Sequence, residues 1–164
     1  MPHRLILISR WRVEASASAV WPLLANVQTW PAWWPVVQRV ERSAASPLGD
    51  LAELHWGSAL PCAINLRLKT VAAERLRRLA CQAQGRFQGL GIWLIEPAEG
   101  GWVSASYRWE VTLDRPWMRA LSPLLRPMFE WNHFRVMRAA AIGMGRQLRC
   151  RVEHLSEWTG GHWP

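Results

Sequence analysis

A change of period constrains this chain more than any other feature. From Val103 to Leu113, the residues Val103, Ala105, Tyr107, Trp109, Val111 and Leu113 alternate with Ser104, Ser106, Arg108, Glu110 and Thr112. Successive side chains of a strand point to opposite faces, so this segment reads as a strand with one apolar and one wet face. After Leu113 the alternation stops. Pro116 to Leu125 reads as a short helix and Pro127 to Leu148 as a long one, with Pro127 in a first turn where its missing N–H costs nothing. On a helical wheel Met128, Phe129, Val136, Ala140 and Gly143 share one side with Met118, Leu121 and Leu125. Towards the end the stripe drifts to Met137, Ala141, Met144 and Leu148. Strands followed by one long amphipathic helix must bury the helix stripe against a sheet face, which makes the chain α+β.

The earlier segments supply the rest of the sheet. Leu5, Leu7, Trp11 and Val13 alternate with Arg4, Arg10, Arg12 and Glu14, while Ile6 and Ile8 break the pattern and imply cover on both faces there. Ser16 or Ser18 can cap a short helix through Val20, Trp21, Leu23 and Leu24, although Pro22 suits only a first turn or a kink. Trp30-Pro31-Ala32-Trp33-Trp34-Pro35 is too proline-rich for a regular helix and reads as a compact turn planting aromatics in the core. Alternation resumes at Leu54 and Trp56, at Ile64, Leu66 and Leu68, and at Leu79, Cys81 and Ala83. Gly89 and Gly91 share a face with Phe87 and Trp93, which marks a bulge, a bend or a close approach. Short turns between such strands argue for an antiparallel meander. Ser156 to Pro164 is polar and contains glycine, so residues 1–155 are expected to form a single domain and 156–164 a loose tail.

Several function classes find no support. There is no GxGxxG after a strand, no phosphate loop, no HExxH and no GxSxG. The net charge of +8 comes from arginines scattered along the chain, with Lys69 the only lysine, and no nucleic-acid motif accompanies it. No nucleic-acid partner is therefore expected. Cys62, Cys81 and Cys150 are too scattered for a disulfide framework or a zinc knuckle, and the five histidines make no ligand-spaced pair. No metal and no cofactor are expected, and a reducing, cytoplasmic setting is the default. No segment approaches the roughly 18 apolar residues of a membrane span. The 13 tryptophans point to a wide interior cavity or an apolar surface.

The inward register supplies the candidate contacts for an apolar ligand. Trp56, Trp93, Tyr107 and Trp109 should face the long helix, and Arg67, Arg108 and Glu110 the solvent. Tyr107, the only tyrosine, needs a hydrogen-bond partner if buried. Asn132 lies inside the apolar stripe of the helix, where its carboxamide is costly unless a ligand or the backbone answers it. His133, next round the helix, is either pocket wall or solvent edge. Met128 and Phe129 complete the lining, Met being adaptable.

The chain resembles the START-like superfamily, also called SRPBCC, and within it the polyketide cyclase/dehydrase and lipid-transport-like group. The resemblance rests on Val13-Glu14-Ala15, Ala19-Val20-Trp21-Pro22-Leu23-Leu24 and the Trp30 to Pro35 segment. It continues through Gly89 to Trp93, Tyr107 to Val111, Pro116-Trp117-Met118 and Arg126 to His133. It implies a helix-grip fold: two short helices after the first strand, then a curved six- or seven-stranded antiparallel sheet, then the long C-terminal helix. It implies a cavity between sheet and helix that binds or transports a lipid-, quinone- or polyketide-like molecule. The alternative is a cyclase or dehydrase in which Asn132 and Tyr107 hold a carbonyl, and a second alternative is a macromolecular interaction module with a basic face. The family's motifs name no catalytic residue here.

Overall fold

The computed structural model describes residues 4–46, 49–57, 64–85, 88–112 and 122–160. Strand β1 (Arg4–Val13) leads into helix α1 (Ala17–Ala25) and the short helix α2 (Trp30–Trp33). Six strands follow: β2 (Val37–Ser46), β3 (Gly49–Trp56), β4 (Ile64–Glu74), β5 (Arg78–Gly85), β6 (Gln88–Pro97) and β7 (Val103–Thr112). Helix α3 (Ser122–Leu148) and strand β8 (Val152–Thr159) end the described chain. Phe87, Leu113 and the stretch from Pro116 to Leu121 lie outside the described residues, as do Cys62 and residues 161–164; so do the side chains of Trp56, Ile64 and Leu125.

The strands pair antiparallel in one curved sheet, in the order β2-β3-β4-β5-β6-β7-β1-β8. The alternation sets the faces as the sequence implies. On β7, Tyr107 and Trp109 pack against the core, while Arg108 and Glu110 pair with each other at 2.8 Å on the outer face. Both of these charged side chains are half-buried rather than fully solvated. Ile8 is fully buried on that outer face because its register partners are Arg108 on β7 and Trp158 on β8.

The sheet has eight strands rather than six or seven, because the chain after α3 returns to it. A Schellman turn reverses the chain: the Cys150 N–H donates to the Gly145 carbonyl at 3.1 Å and the Arg149 N–H to the Arg146 carbonyl at 3.3 Å. Arg149 takes the left-handed conformation there, with φ at 53°, where glycine is usual. A non-glycine residue in that region costs about 1 kcal/mol. Ser156 to Thr159, expected as a loose tail, then pair with β1 as part of β8. Their polar character reflects an edge position: β8 carries a bulge and turns the Glu157 carboxylate inward to Arg138 of α3, devices that blunt an edge strand.

The helices also differ from expectation. Pro22 sits inside α1, past its first turn, and leaves the Ser18 carbonyl without its usual donor. The cap itself is Ser16, whose hydroxyl accepts from the Ala19 N–H at 3.3 Å. The long helix begins at Ser122, so Pro127 lies within it instead of at its start. Proline's fixed φ is helical, and only one intrahelical bond is lost.

The Trp-rich segment forms the centre of the core. Trp30, Trp33 and Trp34 are all buried, and Trp34 meets Trp33 at 5.5 Å and Trp93 edge-on at 6.4 Å. The Trp34 indole N–H donates to the Val136 carbonyl of α3 at 3.1 Å, tying the turn to the long helix. Trp34→Ala is expected to cost about 3–5 kcal/mol, as truncation of a buried aromatic does. Trp34→Phe should lose less, since it removes the hydrogen bond but keeps most of the packing. Urea unfolding of both variants checks this, and equal losses would show that the indole bond carries most of the effect.

Candidate functional site

The register builds one patch of the concave face from four strands. Ser9 of β1, Tyr107 of β7, Trp93 of β6 and Leu79 of β5 stand side by side. The next row holds Leu7, Trp109, Gly91 and Cys81 on the same strands. The β6–β7 pairing runs without a bulge, so Gly89 and Gly91 serve a different purpose from a kink. A β-carbon at Gly91 would stand 2.5 Å from the Tyr107 hydroxyl, and one at Gly89 would stand 2.5 Å from the Glu110 carbonyl oxygen and 2.9 Å from the Trp109 ring. The two glycines make room for the two aromatics of the neighbouring strand, which lean diagonally across them.

Helix α3 closes over this patch unevenly. Its C-terminal part is packed tight, with Val136, Met137, Ala140 and Met144 no more than 5% exposed. Met128, Phe129, Asn132 and His133, one to two turns earlier, are only half-buried although they belong to the same helix. Tyr107 and Trp109 opposite them are half-buried too. The helix is therefore sealed against the sheet at one end and more exposed at the other.

The His133 ring stacks on Tyr107 at 6.0 Å and meets Phe134 edge-on at 5.4 Å. Tyr107 in turn lies 4.6 Å from Trp93. The Nε2 of His133 is fully occluded and has no hydrogen-bond partner among the described residues, and the same is true of the Ser9 hydroxyl. Burial strips the imidazole of the water that would stabilise its charged form and lowers its pKa to about 3. Burial, together with the nearby Cys81, pushes the Tyr107 phenol upward, so it stays protonated. Burial also raises the Cys81 thiol to about 11, against a smaller lowering effect of the Thr70 hydroxyl at 3.8 Å. All three groups are neutral near pH 7. They can donate or accept hydrogen bonds, but none is ready to take a proton from a substrate.

The sequence-derived candidates divide accordingly. Tyr107, His133 and Trp93 come together in one aromatic cluster. Trp109 joins Phe129 around a second cluster built on Leu5, Leu7 and Val111. Trp93 is 2% exposed and backs Tyr107 from within the packed end. Asn132 is half-buried and is not without a partner, so its carboxamide is not the group left unanswered. Trp56 ends β3, with its side chain outside the described residues. Ser9 was missed. It interrupts the inward series Leu5, Leu7, Trp11, Val13, and its buried hydroxyl, like a carboxamide on an apolar stripe, is costly unless something answers it.

Among the described residues no group of three or more His, Cys, Asp or Glu side chains could hold a metal ion, and no helix is long and apolar enough to cross a membrane. A comparison with the curated proteins finds no match. Solved structures share the fold. The Zhui aromatase/cyclase from Streptomyces sp. R1128 superposes with a TM-score of 0.76 at 17% identity, over 90% of this chain and 95% of that one. A START superfamily protein from Mycobacterium smegmatis gives 0.71 at 13%, over 88% and 97%. Norcoclaurine synthase from Thalictrum flavum gives 0.66 at 11%, over 90% and 94%. The eight-stranded sheet gripping a long helix is the helix-grip fold of the START-like superfamily. Residues 9–157 match the family model described as polyketide cyclase / dehydrase and lipid transport, and the chain belongs to that family.

Proposed function

We propose that the protein binds a neutral, largely apolar small molecule between the N-terminal half of α3 and the concave face of the sheet. The ligand lies against Met128, Phe129, Tyr107 and Trp109, with His133 and Ser9 as its polar neighbours. The observation that carries this reading is the gradient of packing along α3. The same helix is sealed at Val136 to Met144 and half-buried at Met128 to His133, where the facing strand residues are half-buried as well. Two polar atoms without partners, the His133 Nε2 and the Ser9 hydroxyl, lie occluded at that end, and side-chain movement on binding would bring them to a ligand carbonyl or hydroxyl. Binding or carriage is favoured over catalysis because His133, Tyr107 and Cys81 are all held neutral. An aromatic or polyketide-like ligand suits the aromatic walls, and the family's cyclase members make such a molecule the natural class to try.

Nile red, a neutral apolar dye, tests the reading by fluorescence titration. Saturable binding of one dye per chain is expected, with displacement by naphthalene and by naphthol. His133→Phe should weaken naphthol about fivefold to tenfold, the worth of one hydrogen bond, and leave naphthalene unchanged. Absence of saturable dye binding, with no small molecule retained by the purified protein in native mass spectrometry, would sink the proposal.

A further inference from the structure

A second concavity lies on the other flank of α3. A groove of about 940 Å3 runs between its C-terminal half and the edge strand β8, within the roughly 300–1,000 Å3 of small-molecule sites. Ala141, Ile142 and Val152 line it with apolar surface, and Arg138, Arg146, Arg149 and Arg151 line it with charge. Two of those arginines are satisfied within the protein. Arg138 donates to Glu157 at 2.9 Å, and Arg151 to Glu14 at 2.8 and 3.2 Å. Arg146 and Arg149 pair with no carboxylate of the described residues, so the groove keeps two uncompensated positive charges.

Arg149 is the more telling of the two. It holds the left-handed position of the Schellman turn, with φ at 53°, which glycine would occupy without strain. A basic side chain near a helix C-terminus complements the helix dipole, but Arg146 in the last turn already does so. The strained arginine is thus unexplained by the fold. Ile142, 57% exposed, presents apolar surface next to those charges.

We propose that this groove binds an amphipathic anion: a carboxylate or phosphate head held by Arg146 and Arg149, with its apolar chain along Ala141, Ile142 and Val152. A bare anion would leave the apolar floor uncovered, and a neutral lipid would leave the arginines unanswered. The site is distinct from the interior one. The Arg138–Glu157 pair stands between them, since Glu157 lies opposite Ser9 in the β1–β8 register.

Calorimetric titration with dodecyl phosphate below its micelle concentration is the test, with inorganic phosphate and dodecanol as companions and phosphatidylglycerol vesicles as a separate arm. Dodecyl phosphate is expected to bind once per chain, more tightly than inorganic phosphate, and to weaken as salt is raised. Arg149→Gly combined with Arg146→Gln should weaken it about tenfold or more, the loss of charge-assisted bonds to the head group. Arg149→Gly alone should leave Tm unchanged or raised, because it relieves the left-handed strain. Vesicle binding without dodecyl phosphate binding, lost in the double variant, would assign the same head-group chemistry to a lipid in a bilayer. The proposal is overturned if the double variant binds dodecyl phosphate like the parent, if inorganic phosphate binds as tightly, or if Arg149→Gly lowers Tm by several degrees. Loss of dodecyl phosphate binding on His133→Phe would also overturn it, by placing the amphiphile in the interior site, whereas failure of Nile red to bind bears on the interior site alone.

Discussion

Replacing Gly143 with alanine is expected to destabilise the protein by about 3 kcal/mol or more, and at this chain length to lower Tm by about 6–12 °C. Helix propensity alone argues the opposite, since alanine in a helix interior is favoured over glycine by about 1 kcal/mol. The local packing overrides it. A β-carbon at Gly143 would overlap the Trp33 carbonyl oxygen and stand 2.9 Å from the carbonyl carbon. That obstacle is backbone, not the free end of a side chain, so α2 and α3 would have to part. Parting them strains the Trp34 indole bond to Val136 and the Trp33–Trp34 stack behind it. Gly145→Ala is the control. Its β-carbon would meet the Cys150 carbonyl oxygen and the Val152 methyl at 3.2 Å, a contact that a shift of a few tenths of an ångström relieves. Denaturant unfolding of the two variants decides the matter: a Gly143→Ala protein within 1 kcal/mol of the parent would mean that the helices do not cross so closely.

His133→Phe is expected to change how stability depends on acid. The folded-state pKa of His133 is lowered to about 3 from an ordinary value of 6.5. Between those values the unfolded chain binds a proton that the folded chain refuses. The stability contributed by the neutral imidazole, whose Nε2 is occluded, is therefore complete above pH 6.5 and lost progressively as pH falls towards 3. The loss runs at up to about 1.4 kcal/mol per pH unit. Phenylalanine has nothing to titrate and leaves no unpaired Nε2, so the variant should match or exceed the parent at pH 7 by about 1 kcal/mol. Its advantage should widen as the solution is acidified. Carboxylates titrate in the same range, but they are common to both proteins and drop out of the difference. Parallel stability curves for the two proteins from pH 7 to pH 4 would falsify the buried, neutral histidine.

The strands and their faces were legible because periodicity is a local property. Tyr107 and Trp109 lie inward and Arg108 and Glu110 outward, as alternate positions of one strand require. The long helix and its inward stripe through Val136, Met137, Ala140 and Met144 were legible for the same reason. Strand β8 was not. Its second half, Ser156 to Thr159, reads as a polar tail because Glu157 faces inward only by virtue of Arg138, which lies on a different element. The start of α3 was misplaced because Pro127 looks like a helix beginning, and a helix can carry proline through at the cost of one bond.

The candidate site was half legible. The apolar stripe and the inward strand positions mark its walls, and Asn132 is the polar residue within the helix stripe. Which polar atoms go unanswered depends on what lies across the interior. Asn132 has a partner, whereas the Nε2 of His133 and the hydroxyl of Ser9 have none among the described residues. The roles of the glycines were decided in the same way. Gly89 and Gly91 were legible as positions where something approaches, but the approaching groups, the Glu110 carbonyl and Trp109 ring at Gly89 and the Tyr107 phenol at Gly91, belong to the neighbouring strand. Gly143 read as part of an apolar stripe and is in fact the point where two helices meet backbone to backbone. The sequence by itself determined the elements and which side of each is apolar, since those follow from spacing along a few residues. Only the tertiary structure decided which side chains are satisfied, which are strained and where the arginines gather, because those depend on partners that chain distance does not reveal.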